Sequence, residues 1–214
     1  MKTTMMKKEN TAMDYLGYAL YAFGGLGIEI LLMVLETSLW GISSGNWTMT
    51  QNILHWSVTC AIWGVLAFLL SKHIPQQHSK IEPVNVILVV LMMLVSIAYT
   101  SIVWQGLKPI LEFTSQGLPK FIVQYIYYAF ESILIVWIII FAQIFFEKLI
   151  GKKTKIPVGG MILALTWGLI HILTQDIHTG IYTCIQACLF GFVYLILHRR
   201  VKLSYVAITF MFML

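Results

Sequence analysis

The chain has 214 residues, of which 59% are hydrophobic and 11% are charged. Soluble domains carry about one quarter charged residues, so this composition excludes an ordinary soluble protein and predicts that lipid covers part of the apolar surface. The net charge of +5 does not indicate a nucleic-acid partner, because the basic residues lie in short loops beside apolar segments, where they set membrane topology.

Seven apolar segments are predicted to cross a membrane. One helical crossing needs about 20 apolar residues. In chain order, the predicted spans are residues 14–41, 51–71, 84–105, 121–147, 157–175, 179–197 and 203–214. The last of them is short for a complete crossing. We therefore expect residues 1–214 to form a single all-α domain, a polytopic transmembrane helix bundle of about seven spans.

The basic residues predict the orientation of this bundle. If the N-terminus is cytoplasmic, the outer loops hold only Lys108 and Lys120. The remaining twelve of the 14 basic residues then lie on the inner side: Lys2, Lys7, Lys8, Lys72, Lys80, Lys148, Lys152, Lys153, Lys155, Arg199, Arg200 and Lys202. Cytoplasmic loops are generally enriched in Lys and Arg, so we expect a multi-pass protein with a cytoplasmic N-terminus.

Ionisable residues inside the spans are the first candidates for a functional site. Each costs roughly 2.5–3.5 kcal/mol on membrane-insertion scales, and such residues commonly serve function. The predicted orientation places the whole set near the middle or in the outer half of the membrane: Glu29, Glu36, His55, Glu131, His171 and, just beyond a span, His178. We expect these residues to line one wet pocket that opens outward.

Helical spacing supports this pocket. One stripe follows an i, i+4, i+8, i+11 pattern if its helix continues: Trp167, His171, Gln175 and His178. Glu29 and Glu36 are seven residues apart and share a face of the first span. Tyr128 and Glu131 form another polar patch on the fourth span.

Simpler interpretations stay open for part of this set. A lone intramembrane Glu or His can hydrogen-bond between helices without any catalytic role, and this interpretation applies to Glu29 and His55. Solvation at the membrane surface accounts for Asp176 and His178. A set of Glu and His side chains can ligate zinc, but the chain has no HExxH spacing, so we expect no metal or other cofactor.

Glu131 on one span, followed by Trp167-Gly168-Leu169-Ile170-His171 on the next, resembles the CPBP family of CAAX-processing and bacteriocin-processing intramembrane proteins, also called the Abi family. The family pattern is EExxxR, then FxxxH, then HxxxN or HxxxD. The resemblance covers roughly residues 121–214. Here Ser132 follows Glu131, Trp167 replaces the phenylalanine, and the last segment has no third motif.

The resemblance implies an enzyme of a bacterial cytoplasmic membrane, with Glu131 as general base and His171 as its partner or as oxyanion stabiliser. It implies cleavage of an amide bond in a membrane-anchored peptide or protein. Two alternatives remain: acyl transfer to the N-terminus of a bacterial lipoprotein, and a membrane binding or immunity protein without catalysis. The partners expected are membrane lipid and the anchored substrate. A third imidazole, if needed, would come from His55 or His178.

Overall fold

The computed structural model describes residues 9–75, 77 and 79–214, so Lys2, Lys7 and Lys8 of the topology prediction lie outside the described residues. The described part is helical and contains no strand, which confirms the predicted all-α bundle. Its helices are α1 (Ala12–Trp40), α2 (Met49–Ser71), α3 (Pro83–Val103), α4 (Lys108–Gln116), α5 (Leu118–Leu149), α6 (Val158–Leu163), α7 (Leu169–Thr174), α8 (Ile177–Ile196) and α9 (Val201–Met213).

Five of these helices are long and apolar enough to cross a membrane: α1, α2, α3, α5 and α8. The two other predicted spans correspond to shorter apolar segments, Val158–Thr174 and Val201–Met213. In length and composition the helices fit a multi-pass membrane protein. The structure adds α4, a short helix with Pro109 in its first turn, where the sequence predicted only a loop.

Helix α5 forms the centre of the bundle and packs against α1, α2, α6 and α9. Its middle turns are enclosed by protein on all sides, and Ile135 and Val136 are fully buried among apolar neighbours. A charged side chain at either position would lie without solvent or partner. The same helix carries Glu131.

Glycines allow α6 to approach its neighbours at backbone distance. A Cβ atom on Gly160 would lie 2.6 Å from the carbonyl oxygen of Ala187 and 2.8 Å from the Cα atom of Gly191, both on α8. Such small-residue contacts are a common basis of helix packing in membranes. They fix the segment that continues into Trp167 and His171 directly against α8.

A buried polar seam joins α3 to α8. Gln186 accepts a hydrogen bond from Ser96 Oγ at 2.9 Å and donates one to Thr100 Oγ1, also at 2.9 Å. The Thr100 hydroxyl lies 2.9 Å from that of Tyr182. Hydrogen bonds of this kind hold membrane helices together, and the Gln186 amide is satisfied by this seam on both its oxygen and its nitrogen.

Candidate functional site

A cavity of about 390 Å³ lies between the helices at the end of the bundle where α3 ends and α5 begins. Two exposed residues, Trp104 and Gln175, mark its rim. The predicted site residues that line it are Glu29, Tyr128, Glu131, Trp167, His171 and Gln175. The fold therefore brings together side chains from α1, α5 and the α6–α7 segment, which are far apart in the chain.

Glu131 is held at the cavity by a single strong contact. The indole Nε1–H of Trp167 donates to Glu131 Oε1 at 3.0 Å, and both side chains are buried. Among the residues that the structure describes, none donates a hydrogen bond to the second carboxylate oxygen, Oε2. One oxygen is thus fixed by Trp167, while the other is free for a ligand in the cavity.

His171 is oriented by the backbone of the same tryptophan. Its Nδ1 lies 2.6 Å from the carbonyl oxygen of Trp167. Because a carbonyl oxygen only accepts, Nδ1 must carry the proton, and in the neutral ring the lone pair is then on Nε2. The imidazole also meets the indole edge-on, with ring centroids 4.8 Å apart. Trp167 therefore positions both predicted catalytic residues.

The helix that carries Trp167 and His171 changes form between α6 and α7. Residues Ala164–Gly168 form a π-helical turn, in which the N–H of Leu169 bonds to the carbonyl of Ala164. Such turns often occur at functional sites. A Cβ atom on Gly168 would lie 2.7 Å from Cys184 Sγ, so the glycine in this motif is required for the close approach of α8.

Glu36 and His55 lie outside the cavity, which corrects the prediction that both line it. His55 Nδ1 is 2.5 Å from Glu36 Oε2, and its Nε2 is 3.8 Å from Glu29 Oε1. The imidazole thus lies between two carboxylates of α1 and forms a second cluster. Only Glu29 belongs to both the cluster and the cavity. The depth of these groups in the membrane was predictable from the sequence, whereas their direction around the helix axis was not.

Replacing His55 by Ala is expected to destabilise the protein by about 2–3 kcal/mol, because Glu36 and Glu29 would lose the imidazole that lies between them. This loss is at or below the low end of the range for breaking a buried ion pair, because the Glu29 side chain is 31% exposed. Thermal unfolding in detergent would measure the loss. The double variant His55→Ala/Glu36→Gln should recover part of it, as expected for coupled residues. Strictly additive losses would contradict an ion-paired cluster.

His178 is exposed and does not line the cavity, so its predicted place on the Trp167 stripe is wrong. The stripe required a continuous helix. Instead α7 ends at Thr174, and Gln175, which follows it, has φ −126° and ψ −93°. Asp176 then starts α8 by accepting hydrogen bonds from the N–H groups of His178 and Thr179. The Thr179 hydroxyl also donates to Asp176 and lowers its pKa. Asp176 is thus a helix cap as well as a solvated residue.

The sequence analysis missed Lys108, which it counted only as an outer-loop charge. This side chain is 5% exposed and lines the cavity. Its ammonium donates to the carbonyl oxygen of Phe212 at 2.9 Å and lies 4.4 Å from the ring centroid of Tyr128. Burial lowers the pKa of Lys108, while the charges of Glu112 and Glu131 act in the opposite direction.

Glu112 is the second missed residue, one helical turn after Lys108 on α4. It is buried, and its Oε1 accepts a hydrogen bond from the Tyr128 hydroxyl at 2.7 Å. The available signal was the i, i+4 spacing of Lys108 and Glu112, together with Pro109 between them, which marks the first turn of a helix. Glu112 faces a separate surface depression beside Tyr128 and Gln124.

Among residues 9–75, 77 and 79–214, no group of three or more His, Cys, Asp or Glu side chains is arranged to hold a metal ion. The donors at the cavity are instead single groups from different helices. Comparisons of the chain with protein-family models, with curated proteins and with solved structures gave no significant match. A function for this chain therefore has to be argued from the site and from the motif resemblance.

Proposed function

We propose that this chain is a membrane-embedded enzyme of the CPBP type that cleaves an amide bond in a membrane-anchored peptide or protein. The observation that carries the proposal is the pairing of Glu131 and His171 through Trp167 at one cavity. A general base has to reach the proton that it removes. Glu131 Oε2, which accepts from no described residue, meets this requirement.

The geometry suits activation of a water molecule. Glu131 Oε2 takes one proton of the water, and the lone pair of His171 Nε2 accepts a hydrogen bond from the other. The water oxygen then bonds to the amide carbon. When the C–N bond breaks, the proton held by Glu131 passes to the leaving nitrogen, so the products are a carboxylic acid and an amine, and Glu131 is regenerated.

Acyl transfer to a lipoprotein amine is the second candidate, and the composition of the cavity wall favours it. Two carboxylates, Glu29 and Glu131, lie there together with aromatic side chains such as Trp104 and Tyr127. Carboxylates and aromatic faces both attract an ammonium group. In this reaction the amine nitrogen bonds to the carbonyl carbon of an acyl ester of a membrane lipid, and Glu131 removes the proton of the amine. That proton passes to the alcohol oxygen that leaves when the ester C–O bond breaks.

We also propose that the N-terminus is cytoplasmic and that the membrane is a bacterial cytoplasmic membrane. The uneven distribution of basic residues supports this orientation, including Lys148, Lys152 and Lys153 at the turn after α5. The cavity, at the opposite end of α5, then opens in the outer half of the membrane. Anchored bacterial lipoproteins lie on that side.

Heavy-oxygen water distinguishes the two reactions. Membranes from cells that express the protein would be incubated in this water and their peptides and lipoproteins analysed by mass spectrometry. Hydrolysis places one heavy oxygen atom in the new carboxyl group, whereas acyl transfer moves an acyl chain without incorporating it. Membranes with the Glu131→Gln variant are the control. If neither product depends on Glu131, the proposal of an enzyme fails, and the alternative of a membrane binding protein without catalysis remains.

A further inference from the structure

Three charged side chains from three helices line the cavity: Glu29 on α1, Lys108 on α4 and Glu131 on α5. Two of them have unused hydrogen-bonding capacity. The Lys108 ammonium has three donors but only one acceptor among the described residues, the carbonyl of Phe212, and Glu131 Oε2 has no donor among them. No described carboxylate lies within 4 Å of the Lys108 ammonium.

Buried charges of this kind are costly unless a partner is present. An anion alone would satisfy Lys108 but would be repelled by the carboxylates of Glu29 and Glu131. A cation alone would satisfy the carboxylates and leave Lys108 without an acceptor. The arrangement is therefore complementary to a ligand that carries one anionic and one cationic group close together.

The character of the cationic group follows from the acceptors. Carboxylate oxygens need N–H donors, which a primary ammonium has and a quaternary ammonium lacks. The aromatic residues already hold one ammonium, that of Lys108, at 4.4 Å from the ring centroid of Tyr128, 4.9 Å from that of Phe212 and 5.6 Å from that of Trp104. The wall thus accommodates positive charge.

We propose that the cavity binds the head group of a phospholipid with a primary amine, the phosphate at Lys108 and the ammonium at Glu131 and Glu29. The acyl chains would remain in the hydrocarbon beside α7, where Leu173 is 81% exposed and Leu169 is 42% exposed. Trp104 at the rim is 42% exposed, as is common for tryptophans at the head-group level. This inference goes beyond the proposed reaction and stands without it.

Native mass spectrometry of the purified full-length protein tests the inference. The protein would be equilibrated with equal amounts of phosphatidylethanolamine, phosphatidylcholine and phosphatidylglycerol, and the retained lipids counted. We expect phosphatidylethanolamine to be retained about tenfold better than the other two, since a charged hydrogen bond is at stake. Equal retention of all three lipids would overturn the inference. So would displacement by soluble phosphoethanolamine at the concentration of the lipid, because the occupant would then not be a lipid.

Lys108→Met tests the phosphate contact, because methionine keeps an unbranched side chain and removes the charge. It should lower retention of phosphatidylethanolamine about tenfold. The matched control is Lys120→Met, which removes a lysine over the Trp56 ring at the same end of the bundle but outside the cavity. If Lys108→Met does not fold, the Glu131→Gln variant tests the lipid site in its place. This variant should abolish the preference for phosphatidylethanolamine over phosphatidylglycerol.

Unchanged retention of phosphatidylethanolamine in a folded Lys108→Met variant would contradict the assignment. If Glu131→Gln decides instead, an unchanged preference for phosphatidylethanolamine over phosphatidylglycerol would contradict it. The lipid measurement needs no catalytic product, so its failure leaves the proposed amide chemistry untouched. Conversely, if the protein binds phosphatidylethanolamine selectively but forms no product, the proposed lipid site stands and the proposed enzymatic function fails.

Discussion

The Glu131→Gln variant is expected to form product about a thousandfold more slowly than the wild type, which is the range for loss of a general base. The amide cannot take the proton from water or from an amine. The fold should persist, because the amide oxygen of glutamine can still accept from the Trp167 indole. The effect is measured as the rate of product formation in isolated membranes, followed by mass spectrometry.

Glu36→Gln is the matched control for this experiment. It also replaces a buried glutamate of a transmembrane helix by its amide, but it lies outside the cavity. It should lose stability through the contact with His55 and retain product formation. If both variants lose product to the same degree while they remain folded, the effect is not specific to the cavity, and Glu131 is not the base.

The Gly160→Val variant is expected to lose about 3 kcal/mol of stability, at the upper end for overpacking of a well-packed core. The new side chain would collide with the backbone of Ala187 and Gly191 and push α6 away from α8. Since α6 leads into Trp167 and His171, product formation should fall as well. Thermal unfolding of the purified protein and product formation in membranes measure the two effects.

Gly17→Val is the control, because a Cβ atom at Gly17 meets nothing within 4 Å. It should change stability by no more than about 0.5 kcal/mol. Equal stability of the two valine variants would show that the contact between α6 and α8 does not constrain the site.

The sequence predicts the helices well because lipid imposes a strict length and polarity on each span. It also places Glu131 and His171 in the middle or outer half of the membrane, since depth along a helix follows directly from its rise per residue. Depth does not determine direction around the axis. Glu36 and His55 therefore contact each other beside the cavity, although their depth in the membrane predicted that both would line it.

Three features depend on contacts that the local sequence does not reveal in full. Lys108 is buried because Trp104, four residues before it, meets Tyr128 and Phe212 from other helices around its ammonium. The position of His178 depends on the break of the helix at Gln175, in a segment with neither proline nor glycine to announce it. The double role of Trp167 likewise emerges only from the fold.

The most direct test of a catalytic role for Glu131 and His171 is a mass profile of membrane lipoproteins and small peptides from four strains. These express the wild type, Glu131→Gln, His171→Ala or no copy of the protein. We predict that one membrane-anchored peptide or protein is shortened only in the strain with the wild type. An acyl chain added only there would assign the same residues to acyl transfer. Identical profiles in all four strains would contradict catalysis by this site.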